Sequence, residues 1–156
     1  MTMWKEPPII KIYEALGAVG DERVEIAGNQ AVVWSSMRKK YYDVSYDSDE
    51  NALMANDNGS YWQGYLGYPG IAYLMLRGEI SYDRKLATYL SGFDWKAIAT
   101  AHKNDWDAVC EQVRDEMKSR YPELDLAWFD LQLSGIMLAI RELGIHVLGK
   151  KTRPPQ

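Results

Sequence analysis

The sequence predicts an α+β domain: an N-terminal helix, a small antiparallel sheet of three to four strands, and a C-terminal cluster of four to five helices. Three observations carry that prediction. Apolar residues recur at helical spacing at the start of the chain, alternate with polar ones between about residues 24 and 55, and return to helical spacing from about residue 71 onward. The chain has 156 residues and is 47% hydrophobic and 26% charged, which suits one folded core without a disulfide or metal staple.

The elements follow in order. Pro7 and Pro8 are placed to open a helix carrying Ile9, Ile12, Tyr13 and Leu16, with Gly17 or Gly20 to end it. Val24 and Ile26 alternate with polar residues, Gly28-Asn29 supplies a turn, and Val32-Val33-Trp34 returns as a β-branched strand. Tyr42, Val44 and Tyr46 share one face of a third strand. Asp47 to Glu50 forms a polar turn, and Asn51 to Ala55 supplies a fourth strand. A Gly- and Tyr-rich connection, Ser60 to Tyr68, leads to a buried helix over Ile71 to Leu76 that ends at Gly78. Further helices are predicted over Tyr82 to Leu90, from an Asp94 cap, from an Asn104 cap to Tyr121, and over Leu124 to Leu143. One domain is expected over residues 1–149, with a sheet half of about 1–66 and a helical half of about 67–149, and residues 150–156 form a flexible tail.

Several function classes are argued against. A net charge of -4 is a poor footprint for phosphate binding, so nucleic acid is not the expected partner. The N-terminus lacks the basic and apolar regions of a secretory signal, and no apolar run reaches the length of a membrane span, so a cytoplasmic location with no membrane contact is expected. The single cysteine, Cys110, sits in an apolar pattern and reads as a core residue. His102 and His146 stand alone, so no metal and no cofactor are expected. Asp47-Ser48-Asp49-Glu50-Asn51 imitates a calcium loop but has Ala52 where Gly is needed and Asn58 where a bidentate Glu is needed. The glycines at 59, 64, 67 and 70 match neither the P-loop nor the dinucleotide fingerprint, and no nucleophile elbow is present.

What remains is the aromatic content. Eleven Tyr and six Trp outnumber two Phe, and nine of these rings fall between Trp34 and Tyr73. Rings with a polar handle suit half-buried positions at clefts and interfaces. Tyr46, Tyr61, Trp62, Tyr65 and Tyr68 are therefore the candidate binding residues, with no catalytic residue assigned. The leading expectation is a non-catalytic interaction protein that binds itself as a homo-oligomer, or another protein, through this Tyr/Trp-rich surface or its last helix. The alternative is a small-molecule binder or carboxylate-using enzyme in which these rings line one cleft and Asp43, Asp47 or Asp57 act as acid or base, against a structural reading of those acids as solvent-facing turn residues. A third is a helix-turn-helix DNA reader over Leu86 to Ala99, with Lys96, His102 and Lys103 on its second helix.

Overall fold

The computed structural model describes residues 1–156 and is an α+β fold. The first helix, α1 (Ile9–Gly20), starts directly after Pro8 and is buried almost all round from Ile10 to Ala18. Four antiparallel strands follow as a meander: β1 (Val24–Ala27), β2 (Gln30–Trp34), β3 (Tyr41–Asp47) and β4 (Ala52–Ala55). Gly28, with φ +63°, makes the tight β1–β2 turn that only a residue at ease in the left-handed region allows. The register places Val33 opposite Tyr42 and Tyr46 opposite Leu53, so Val33, Tyr42, Val44, Tyr46 and Leu53 face the helices.

A fifth strand, β5 (His146–Val147), adds to β4 in parallel. Two residues of extended chain after a long helix give too little alternation to be read from sequence. The N-terminal segment lies beside it: Val147 N donates to Thr2 O at 2.7 Å and Trp4 N to Ile145 O at 3.0 Å.

Five α-helices form the C-terminal half: α2 (Tyr68–Arg77), α3 (Arg84–Tyr89), α4 (Trp95–Ala101), α5 (Trp106–Arg120) and α6 (Leu126–Leu143). Carboxylates cap four of them, with Asp83, Asp94, Asp105 and Asp125 each accepting backbone N–H groups of the first turn. The α5 cap is Asp105 rather than Asn104. Lys103 and Asn104 both take positive φ in the sharp turn before it, and this moves the capping position one residue along. Helices α1 and α3 approach closely, since a Cβ at Gly20 would fall 2.1 Å from Ala87 O. One apolar core runs through both halves, from Trp4 and Ile10 through Val44 and Leu53 to Phe129 and Ile145. No helix is long and apolar enough to cross a membrane.

Candidate functional site: a pinned segment that displays Trp62

The chain between β4 and α2 folds into a short π-helix, Gly59–Gln63, closed by Gly64 at φ +76°. Single-turn π-helices are rare and concentrate at functional sites. Here the geometry has a local cause. Asp57 is buried, and its Oδ1 accepts the Ser60 hydroxyl at 2.6 Å while Oδ2 accepts the Ser60 amide at 3.2 Å. Ser60 Oγ in turn accepts the Gly67 amide at 3.2 Å, so one carboxylate and one hydroxyl tie both ends of the segment together. Asn56 anchors the entry, its Oδ1 accepting the Asp43 amide at 2.8 Å. Lys5 clamps the exit through its backbone, donating to Gly64 O at 2.9 Å and accepting from Leu66 N at 3.1 Å.

Asn56, Asp57 and Ser60 thus turn their polar groups inward, and one large apolar side chain is left outward. Trp62 is 65% exposed and meets Tyr61 edge-on, with ring centroids 4.7 Å apart. Beside them, the amine of Lys151 and the stem of Lys5 lie within 4 Å of a Cβ built at Gly64. A Trp held out on a segment tied at both ends has less ordering entropy left to lose on binding, which is the property of interface anchors.

Behind the display lies a buried polar cluster. Lys11 and Glu14, one helical turn apart on α1, pair at 3.2 Å, and the Lys11 ammonium also sits 4.8 Å from the Trp106 ring centre. Burial raises the Glu14 carboxyl above the usual range, and the neighbouring Lys11 only partly offsets this. Burial raises Asp57 as well, against the lowering effect of its Ser60 hydrogen bonds. For Lys11 burial is the largest single effect and works downward, yet Glu14, Tyr65 and Asp57 together outweigh it and the amine is held above its ordinary value. Tyr42, Tyr65 and Tyr68 surround these groups, and burial pushes all three hydroxyls up. Both carboxylates are already partnered, Glu14 by Lys11 and Asp57 by Ser60.

The five residues read from the sequence divide accordingly. Trp62 is exposed and pairs edge-on with the half-buried Tyr61. Tyr65 folds back over Gly59, where a Cβ would fall 2.4 Å from its ring, and Tyr68 stands edge-on to Tyr42 with centroids 6.2 Å apart. Both line the buried cluster. Tyr46 belongs elsewhere: it packs in the core against Tyr73, its hydroxyl meets Asn51 Oδ1 at 3.2 Å, and the Arg77 guanidinium lies over its ring. The five therefore occupy three places and do not line one cleft.

Family-model comparison supplies one match, to the model described as "Uncharacterised conserved protein UCP014422", over residues 4–146. The chain belongs to the UCP014422 family. No curated protein and no solved structure matches it. The matched residues of this UCP014422 member take in the π-helix, its Asn56, Asp57 and Ser60 anchors, and the Lys11–Glu14 pair.

Asp57 corrects the reading of that acid as a solvent-facing turn carboxylate. The missed signal is its spacing, since an Asp three residues before a Ser at a helix start is a capping arrangement. Asp43 is exposed, and Asp47 caps its own turn, accepting the Asp49 and Glu50 amides. Lys11 and Glu14 went unread because they look like the polar stripe of an amphipathic helix, and α1 is covered on that side too. The α3–α4 pair has six and seven residues, and Trp95 and Ile98 are buried, which leaves Lys96 as the only basic residue of α4. A surface depression of about 360 Å³ lies on the sheet near Glu25, Val32 and Asp43, and none of the five aromatic candidates lines it.

Proposed function

We propose that this chain is a non-catalytic interaction protein that works in the cytoplasm and recognises a protein partner through the Tyr61–Trp62 pair. The single observation that carries this is the contrast within one segment: Asn56, Asp57 and Ser60 are buried and hydrogen-bonded, while Trp62 is held in solvent. A pinned backbone beneath a largely exposed Trp suits a binding anchor. Lys5 and Lys151, near Gly64 at the end of the same segment, favour a partner with acidic residues flanking its Trp-binding pocket. The test is capture of partners by the wild-type protein and by Trp62→Ala at equal loading. The reading expects specific partners in the first set that are missing from the second; identical sets would overturn it.

A second reading rests on a separate observation, the raised carboxyls of Glu14 and Asp57 beside Lys11 and Tyr65. Buried titratable groups gathered behind a loop are the usual raw material of acid–base chemistry or small-ligand binding. Native mass spectrometry of the purified protein decides between the two. A retained small molecule that is lost in Glu14→Gln favours this second reading, and a mass equal to the bare chain favours the first.

A further inference from the structure

We infer that α6 is a self-association surface on which two copies of this chain pair antiparallel about a two-fold axis at Gly135. The starting point is a glycine the fold does not require. Gly135 lies in the interior of an 18-residue helix, where glycine is disfavoured relative to alanine, and a Cβ built there meets nothing within 4 Å. Gly17, Gly20, Gly59 and Gly67 differ, because a Cβ at each would collide with a neighbouring atom of the same chain. What Gly135 permits is close approach from outside.

The residues around it fit that use. Leu131 is 73% exposed and Leu138 is 47% exposed, and with Ala127 and Gly135 they form one stripe along the outer side of α6 at helical spacing. No charged residue interrupts the helix between Asp130 and Arg141. An apolar stripe of this kind is self-complementary when a second copy runs antiparallel, because Leu131 of each copy then meets Leu138 of the other across the central glycines.

Charge selects the same arrangement. Asp130 and Arg141 stand at equal distances on either side of the Gly135–Ile136 bond and, about three helical turns apart, on the same flank of the helix. An antiparallel two-fold pairing sets Asp130 of each copy beside Arg141 of the other, whereas a parallel pairing leaves them about three helical turns apart in height and makes no such pair. Their own-chain partners, Arg114 and Glu6, leave both side chains substantially exposed. One helix face buries less than the about 800 Å² per partner of a standard interface, so the association is a weak, concentration-dependent dimer.

Sedimentation equilibrium across the micromolar to millimolar range tests this. The wild type is expected to dimerise, Leu131→Glu and Gly135→Leu each to raise the dissociation constant at least tenfold, and Trp62→Ala to leave it unchanged. Thermal melts of the dilute monomers keep the result interpretable, since Leu131→Glu should match the wild type and Gly135→Leu should melt slightly higher. A wild type that stays monomeric throughout would overturn the inference, as would a dimer that either α6 variant leaves intact. Because Trp62 takes no part, failure here is separate from failure of the partner-binding reading.

Discussion

Gly67 stands against Asp57 so closely that a Cβ at residue 67 would lie 2.0 Å from the carboxylate Oδ2. The two are brought together by Ser60, whose hydroxyl donates to the Asp57 carboxylate and accepts from the Gly67 amide. Gly67 has an extended backbone at φ -76°, so any cost of a side chain there is steric and not conformational. Gly67→Ala should destabilise the fold by about 1–3 kcal/mol, as overpacked sites do, and should shift the amide resonances of residues 59–66 well beyond those of distant strands. Urea unfolding and a two-dimensional NMR spectrum check both parts.

Asp57 and Glu14 make a pH prediction with a definite sign. Their folded carboxyls titrate above the ordinary value of about 4, so between that value and the folded one the unfolded chain releases protons that the folded chain keeps. Stability from these two groups is therefore greatest below the ordinary value and falls as pH rises through the folded values. Asp57→Asn should flatten its share of that fall. Relative to the wild type, the variant should gain stability in urea unfolding as pH rises through the folded Asp57 value, on top of a constant offset from the altered Ser60 bonds; a wild type that gains on the variant as pH rises would contradict the assignment.

Trp62→Ala should be silent in stability. The side chain is largely in solvent and meets Tyr61 edge-on, so the change in unfolding free energy is expected within about 0.5 kcal/mol. A loss above about 1 kcal/mol by the same measurement would mean that the ring supports the fold and would weaken its assignment as a binding anchor.

Two helical glycines should respond in opposite directions. Gly20→Ala drives a methyl group into the Ala87 carbonyl and should cost at least about 1–3 kcal/mol, since backbone cannot step aside as a side chain can. Gly135→Ala meets open space and should gain about 1 kcal/mol in the dilute monomer through helix propensity alone. Paired denaturation curves at one low concentration read both.

Cys110 should be chemically quiet. Burial, with the Asp107 carboxylate next in effect, pushes its thiol up to about 11, so little thiolate exists at neutral pH. Iodoacetamide should label the native protein far more slowly than the urea-unfolded chain, and equal rates would show that the thiol is open.

Much of the fold was legible because its signals are local. The Gly28 turn, the alternation of Tyr42, Val44 and Tyr46, the Asp94 cap and the glycine at 78 each act within a few residues. The site was legible only in part. Composition pointed to Tyr61 and Trp62, but the same logic grouped them with Tyr46, which lies in the core, because rings give no sign of which wall they will pack on. The buried cluster was hidden for the opposite reason. Lys11, Glu14 and Asp57 are charged, charged residues ordinarily face water, and only tertiary packing of α1 under the π-helix reverses that expectation.

The strand-like segment at residues 2–5 has a further consequence for how the molecule forms. It bonds to Gly64 and Leu66 on one side and to Ile145 and Val147 on the other, so three stretches far apart in sequence close against one another at a single clasp. A growing chain that has made its meander and its π-helix still lacks Ile145, and the clasp stays open until nearly all of α6 has been added. Closure over such separations is slow, and it binds the two halves into one cooperative transition. The change in character near residue 66 is therefore a boundary in composition without being a boundary in folding, and a fragment cut there should fail to hold Trp62 in place.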